Sequence, residues 1–466
     1  MLNKFRFFDS NSEVRKIAWD LYSKVKDLPI ISPHGHVEPK LLAENLPFPD
    51  PTELLIIPDH YITRMLYSQG ISLESLGIPT VDGSSVEQDH KKIWQLFAQN
   101  FHLFSGTPSG VWLKHALEKV LDVTKPVNEK NALEIYEEIS TKLKSSDFLP
   151  RTLFEKFNIE LLATTDAASD SLEDHKKILD SDWSGKVIPT FRPDAVVNIL
   201  SDNWKNEIDK LSSASGVEIS NYKDFILAIE NQRKYFIEIG ATATDQGVQS
   251  PYTHKLSEGE ADAIFTRAIK GTATIEDGKL FIANMLMEMA RMSCEDGLVM
   301  QLHPGSMRNH NSKVFNKFGL DKGCDIPMQT EYTKNLHELL NKYGNNSNFK
   351  FIVFTLDETS YSRELAPLAG HYPAMKLGPA WWFHDSIQGM TRYRQMTTET
   401  AGFYNTVGFN DDTRAFLSIP ARHDVARRVD SNFLALQVSQ HIIEMEYAHN
   451  LMHELTNGLV RKAYNL

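Results

Sequence analysis

The chain has 466 residues, and its 49 lysine and arginine residues against 61 aspartate and glutamate residues give a formal net charge of −12. This acidic balance disfavours nucleic-acid binding, which depends on basic side chains that neutralise phosphates. A hydrophobic content of 41% excludes intrinsic disorder. Only two cysteines occur, and we find neither a signal peptide nor a run of about 18 apolar residues, so we expect a soluble, cytoplasmic protein with no membrane span and no disulfide framework.

Eight short apolar runs alternate with stretches that are long enough to form helices, and each run ends in polar residues. Buried parallel strands have this composition because helices cover both faces of their sheet. We therefore predict an α/β protein with a (β/α)8 TIM-type barrel, whose active site lies at the C-terminal ends of the strands. A doubly wound open sheet is the alternative, but the chain has no glycine motif for nucleotide binding. The predicted strands are 28–33, 159–163, 187–191, 235–240, 298–302, 349–354, 375–378 and 406–409.

A barrel of this type needs about 250 residues, so roughly 200 residues must lie outside it. Arg422 and Arg427 fall in a predicted helix after the eighth strand, where we expect structural roles. The chain divides into four predicted parts: an N-terminal segment with the first strand (1–36), a mainly helical insertion over the barrel mouth (37–158), the remaining barrel units (159–428) and C-terminal helices (429–466).

His34 and His36 follow the first predicted strand, where residues i and i+2 point to the same side and can hold one divalent cation. Packed or loop histidines are the alternative interpretation of this pair taken alone. Asp412, after the eighth strand, adds an oxygen ligand across a closed barrel, and His303, after the fifth strand, offers another nitrogen. Mixed imidazole and carboxylate ligands suit zinc, manganese or iron, and the spacing does not choose among them.

This arrangement resembles the amidohydrolase superfamily, whose barrels place His-x-His after strand one and an aspartate after strand eight. Hydrolytic members commonly add a lysine at strand four and a histidine at strand six for a second metal. The corresponding strand ends here carry Asp245 and Asp357, which disfavours a binuclear hydrolase.

Longer segments from one end of the chain to the other resemble the uronate isomerase family. Many members of that family read His-Cys-His where this chain has His34-Gly-His36, and Trp-Trp-Phe-Asn-Asp where it has an aromatic triplet followed by His384 and Asp385. The segments that carry the resemblance are 32–39 (SPHGHVEP), 58–64 (PDHYITR), 189–194 (PTFRPD), 301–309 (QLHPGSMRN), 378–383 (GPAWWF) and 412–418 (DTRAFLS).

The resemblance implies an aldose–ketose isomerase that interconverts D-glucuronate with D-fructuronate and D-galacturonate with D-tagaturonate. It also implies one divalent metal, with zinc expected and manganese or iron as alternatives, and a homo-oligomer. Such an isomerisation passes through an enediol, so it needs a positioned base together with electrophilic help from a metal. We predict Asp412, Tyr61 and His303 as the catalytic residues, with Asp412 also binding the metal beside His34 and His36.

A uronate also carries a carboxylate, which a guanidinium group matches best because it donates two parallel hydrogen bonds. Arg192 and Arg414 each follow an apolar run and are the candidates, with a structural salt bridge as the alternative for each. The predicted substrate site is completed by His60, from a loop of the insertion, by Asp245 at strand four, and by Trp381, which we expect to stack on the sugar.

Two other functions remain open on the sequence alone. A metal-dependent amidohydrolase acting on a small acidic substrate shares the histidine pair and Asp412. A sugar-acid binding protein without catalysis is the other alternative, and the intact catalytic candidates argue against it.

Overall fold

The computed structural model describes residues 2–466. Seven parallel strands lie in chain order, and each pairs with the next. They are β1 (Ile30–Ser32), β2 (Ile159–Ala163, continuing as Asp166–Ala167), β3 (Lys186–Ile188, continuing as Phe191–Arg192), β4 (Ala243–Val248), β5 (Val299–Pro304), β6 (Phe351–Val353) and β7 (Met375–Leu377).

An eighth extended segment joins β7 back to β1. Thr406 forms a parallel bridge with Leu377. Further along the same segment, the His36 amide donates to the Thr413 carbonyl at 2.9 Å, and the Asp412 amide donates to the His34 carbonyl at 3.3 Å. The predicted (β/α)8 barrel is therefore confirmed, although its eighth strand is reduced to one bridge.

The prediction of a fourth strand at 235–240 is wrong. These residues end the helix Tyr222–Glu238 and lead into the turn after it, and β4 begins only at Ala243. A short apolar run does not distinguish a strand from the buried face of a helix. Here Phe236 packs on Phe191 of β3, with the ring centroids 5.1 Å apart, so the run serves the contact between helix and sheet.

Helices cover the outside of the barrel and pack their apolar faces on the strands. After β2, the helices are Glu173–Leu179, Asp194–Val197, Trp204–Ser215, Tyr222–Glu238, Glu258–Ile269, Ile275–Asp296, Ser312–Phe318, His337–Tyr343, Ala366–Ala369, Ile387–Ala401 and Ile419–Ser439. Shorter turns occur at Tyr361–Leu365, Trp382–His384 and Phe416–Ser418, and an antiparallel ribbon pairs Ser306–Met307 with Ile326–Pro327.

Only helices and turns lie between β1 and β2. They share a core with the outer side of those strands, because Trp94 and Phe97 of the insertion belong to the same buried cluster as Ile30 and Ile159. The insertion contains Pro39–Glu44, Pro51–Leu55, His60–Ser68, Glu74–Leu76, His90–Gln99, Phe101–Phe104, Pro108–His115, Ala116–Val120, Ala132–Leu143, Ser146–Phe148 and Pro150–Lys156.

The N-terminal helix Ser12–Val25 packs against Ile419–Ser439, and both pack against the C-terminal helix Met445–His453. The chain then ends in the turn Glu454–Gly458 and the helix Leu459–Tyr464. The predicted boundary at 428/429 falls inside a helix, and the division of the chain into four parts remains a prediction. Within residues 2–466, we find no helix that is both long and apolar enough to cross a membrane.

Candidate active site

A cavity of about 1120 Å³ opens where the strands end, between the barrel, the insertion and the loop after β5. Ionisable side chains from distant parts of the sequence meet there because parallel strands end at one rim of a barrel. All ten residues that the sequence singled out line this cavity: His34, His36, His60, Tyr61, Arg192, Asp245, His303, Trp381, Asp412 and Arg414.

The ends of β1 and of the eighth segment bring three potential metal ligands together. Nε2 of His34 and Nε2 of His36 lie 3.3 and 2.9 Å from Oδ1 of Asp412. That oxygen is buried and accepts no well-aligned hydrogen bond, and Nδ1 of His34 is buried without a partner as well. Buried polar atoms are normally paired, so two imidazole nitrogens and a carboxylate oxygen gathered in this way fit a divalent ion.

The electrostatics of these groups keep Asp412 ionised. Burial raises the pKa of Asp412, but the neighbouring His34 and His36 outweigh burial and hold that pKa well below its usual range. Burial alone would lower the pKa of His34, but the negative charge of Asp412 outweighs burial, so the net effect is a raised pKa. Asp412 also has a left-handed backbone, with φ at 41°, which aspartate tolerates better than most residues.

β5 and β4 place a second group beside the first. The ring of His303 stacks on that of His34, with the centroids 4.8 Å apart, and Nδ1 of His303 lies 2.7 Å from Oδ1 of Asp245. With Nδ1 donating to Asp245, Nε2 of His303 carries a free lone pair, and this buried atom has no hydrogen-bond partner. A carboxylate that fixes the tautomer of a histidine in this way commonly supports a metal ligand.

Arg192 is held by two carboxylates at the end of β3. Its Nε lies 2.8 Å from Asp194 and its Nη1 lies 3.2 Å from Asp245. Gly247 permits this arrangement, since a Cβ there would lie 2.7 Å from Nη2 of Arg192, and its amide donates to Asp194. Burial raises the pKa of Asp245, but Arg192 and His303 reverse the effect and hold it far below its usual range. Asp245 therefore already has partners on both of its oxygens.

The insertion contributes His60 and Tyr61 from the first turn of a helix rather than from a predicted loop. Asp59 caps the helix His60–Ser68 by accepting a hydrogen bond from the Tyr61 amide at 2.8 Å. The two rings stack with centroids 4.7 Å apart, and both nitrogens of His60 are buried without a partner. Burial, aided by the positive charge of Arg414, lowers the pKa of His60 to about 3, so this ring is neutral at pH 7.

Arg414 differs from Arg192 in its surroundings. Its side chain is 37% exposed, and the carboxylate of Asp321, in the loop after β5, lies 3.5 Å away. Arg308 from the same loop also approaches Asp321, at 3.9 Å, and pairs with Asp325 at 2.8 Å. Arg414 thus has more capacity to receive a further carboxylate than Arg192 has.

Known proteins resemble this chain over almost its whole length. A family model described as glucuronate isomerase matches residues 6–463. A uronate isomerase from Brucella canis is 53% identical over 465 residues, with 100% of both chains covered. The crystal structure of glucuronate isomerase from Caulobacter crescentus superposes with a TM-score of 0.98 at 51% identity, covering 100% of this chain and 97% of that chain.

The chain belongs to the glucuronate isomerase family. A structure of uronate isomerase from Thermotoga maritima is also similar, with a TM-score of 0.92 at 28% identity, and the alignment covers 100% of this chain and 99% of that chain. The sequence-based identification of a uronate isomerase is confirmed. The family assignment decides against the amidohydrolase and the non-catalytic alternatives.

Both tryptophans of the 378–383 segment line the cavity of this family member. Trp381 is buried, and its ring meets His303 edge-on at 4.8 Å, whereas Trp382 lies 6.1 Å from His60 and 5.2 Å from the guanidinium of Arg308. Trp381 is therefore already packed against a strand-end residue, and stacking of its ring on a sugar remains a prediction.

Asp59, Arg308 and Arg422 are among the cavity-lining residues that were not predicted as site residues. Asp59 and Arg308 lie inside the segments that carried the family resemblance. The resemblance therefore pointed to their part of the sequence, but it did not identify them as site residues. Arg422 has no such signal, because an arginine on a long helix is usually a solvated residue. Here it is 2% exposed.

Proposed function

We propose that this cavity interconverts aldohexuronates and ketohexuronates through an enediol. The observation that carries the proposal is the approach of His34 and His36 to Asp412 in the same cavity as Tyr61 and Arg414. An isomerase of this kind needs an electrophile, a proton carrier and a cation for the substrate carboxylate. His34, His36 and Asp412 would hold a metal ion as the electrophile, and Tyr61 and Arg414 would serve as proton carrier and cation.

One divalent ion is proposed at His34, His36 and Asp412, with zinc expected and manganese or iron as alternatives. When bound, such an ion acts as a Lewis acid that polarises substrate oxygens. His303 is placed to support the same site through its unpaired Nε2, with Asp245 fixing its tautomer. The role of Asp245 is then to orient His303 and Arg192 rather than to contact the sugar.

Arg414 is proposed to bind the carboxylate at C6 of the uronate, because it is the least paired guanidinium among the predicted candidates. Arg192, held by Asp194 and Asp245, presents its remaining N–H donors to substrate oxygens from a fixed position. Neutral His60, with both nitrogens unpaired, is available to donate or accept a hydrogen bond with the substrate.

The proton steps balance without water being consumed. The proton on C2 of the open-chain aldose leaves to a base, the enediol forms, and a proton is delivered to C1 while the hydroxyl proton on O2 passes to O1. Asp412, which is ionised, is the proposed base for the carbon-bound proton. The Tyr61 phenol, whose pKa burial raises well above its usual range, is protonated and is the proposed acid toward the substrate oxygen.

The test is to incubate the purified protein with D-glucuronate and with D-galacturonate and to follow formation of the ketose by NMR. D-glucose, which lacks the carboxylate, is the matched control and should stay unchanged. Ketose formed from at least one uronate supports the proposal, and elemental analysis of the same sample identifies the metal. Absence of ketose from both uronates in a metal-loaded sample would refute it. The homo-oligomer and the cytoplasmic location stay predictions.

A further inference from the structure

Arg422 is a buried cation in the first turn of the helix Ile419–Ser439, directly behind the end of the eighth segment. Its Nη1 lies 2.6 Å from Oδ2 of Asp385 and 3.1 Å from the carbonyl oxygen of Asp411, the residue before Asp412. A buried charge is stable only when it is paired and hydrogen-bonded, and these contacts meet that requirement.

The other face of the same guanidinium contacts aromatic rings of the insertion. It lies 3.7 Å from the ring centroid of Trp112 and 5.7 Å from that of Tyr61. Trp112 in turn meets Tyr61 edge-on at 5.7 Å. Arginine stacks well on aromatic faces, and such contacts gain strength when they are shielded from water.

Arg422 therefore connects the two walls of the cavity. One end of the connection is the backbone next to Asp412, and the other is the ring of Tyr61, which comes from a helix more than 350 residues away in the chain. We propose that Arg422 is a positioning residue for the isomerisation, which fixes Tyr61 relative to Asp412 through Trp112, with Asp385 as its counterion. This inference rests on the proposed catalytic role of Tyr61.

The charges around this group agree with the proposal. Burial raises the pKa of Tyr61, and the positive charge of Arg422 opposes the rise. Burial also raises the pKa of Asp385 to about 7, although Arg422 opposes it, and Oδ1 of Asp385 is buried without a hydrogen-bond partner. Within residues 2–466, Arg422 is therefore the one side chain that donates a hydrogen bond to the carboxylate of Asp385.

Arg427, on the same helix, shows what a purely structural arginine looks like in this protein. It is also buried, and it donates hydrogen bonds to the carbonyls of Lys26, Leu28 and Pro29 before β1. It does not line the cavity. Arg427→Met is therefore the matched control for the loss of a buried guanidinium.

The experiment compares Arg422→Met, Arg422→Lys and Arg427→Met by steady-state kinetics on a uronate, thermal unfolding and elemental analysis. We expect Arg422→Met to lower kcat about 10- to 100-fold with little change in KM or metal content, because a misplaced proton donor costs a factor of this size. Arg422→Lys keeps the positive charge but lacks the planar guanidinium group, so it should recover part of the lost kcat. Arg427→Met should lower Tm and leave kcat unchanged.

A double variant shows whether Arg422 acts through Tyr61. If it does, adding Arg422→Met to Tyr61→Phe should lower kcat no further than Tyr61→Phe alone, because effects of residues that act as a unit do not add. A wild-type kcat in folded Arg422→Met would overturn the inference. If the Met variant does not fold, a wild-type kcat in Arg422→Lys would overturn it instead. Fully additive losses of kcat in the double variant would also overturn it. Wild-type kcat in Tyr61→Phe would instead refute the proposed role of Tyr61, so the two failures are distinguishable.

Discussion

The strand ends and the insertion form opposite walls of the cavity, and their side chains are held in different ways. On the strand wall, a ring nitrogen of His34 and one of His303 each lie within 3.3 Å of a carboxylate oxygen. On the insertion wall, His60 and Tyr61 are held mainly by stacking, and both nitrogens of His60 lack a partner. The strand wall thus suits the proposed metal ion, while the insertion wall has unpaired polar atoms that suit the proposed substrate.

Asp412→Asn should have the largest effect, because it removes a ligand and the proposed base from the strand wall together. We expect kcat to fall by about 10⁴-fold, with less bound metal and an unchanged fold, since asparagine keeps the volume but does not accept a proton at neutral pH. Kinetics, elemental analysis and circular dichroism measure the three quantities. Substantial activity at wild-type metal content would show that Asp412 has neither role.

Tyr61→Phe should affect the insertion wall alone. We expect kcat to fall by about 10²-fold, which is typical of the loss of one general acid, while metal content stays at the wild-type level. Measuring both quantities on one preparation separates proton transfer from metal binding. A loss of metal in this variant would contradict the division between the two walls.

Arg414→Met should weaken substrate binding more than it weakens folding. A charge-assisted hydrogen bond is worth about 1.5–3 kcal/mol, so KM for a uronate should rise by roughly 10- to 150-fold. Arg192→Met is the comparison, and it should lower Tm much more because it removes the guanidinium that pairs with Asp194 and with the buried Asp245. Equal losses of Tm in the two variants would contradict the conclusion that Arg192 is more strongly paired than Arg414 in the folded protein.

His60→Gln should change the pH dependence of stability. The pKa of His60 is about 3 in the folded protein and 6.5 as its ordinary value, so between these pH values the unfolded chain binds a proton that the folded protein does not. Stability therefore rises with pH across this window, by at most about 1.4 kcal/mol per pH unit from this residue. Denaturant unfolding at pH 5 and pH 7 should show a smaller pH effect in the variant, and an equal effect would contradict the buried, neutral histidine.

The strand wall was largely predictable from sequence. His34, His36 and Asp412 stand at strand ends, and parallel strands bring their ends to one rim, so their meeting follows from the fold. The same reasoning placed His303 at the rim, whereas Asp245 was found through the family resemblance, since the strand predicted before it, 235–240, belongs to a helix and its turn. Neither argument showed that Asp245 would pair with His303 and Arg192, because such pairing depends on side-chain rotamers.

The insertion wall was predictable only in part. His60 and Tyr61 were found through a family resemblance, while their place on a capped helix depends on Asp59. The contact of Arg422 with Trp112 joins segments that are far apart in the chain, and no local pattern encodes it. The misassigned strand at 235–240 has a similar cause, because tertiary packing decides between strand and helix for a short apolar run.

Proton transfer through an enediol is tested most directly by running the wild-type reaction in D₂O and examining the ketohexuronate by NMR. Because the proton taken from C2 resides on a side chain before it reaches C1, it has the opportunity to exchange with solvent. We expect deuterium to accumulate at C1 of the ketose as turnovers proceed. The reaction is kept at equilibrium, so that each sugar molecule is interconverted many times and even slow exchange becomes visible. A complete lack of deuterium at C1 under these conditions would contradict transfer by protein side chains and would indicate a direct hydride shift.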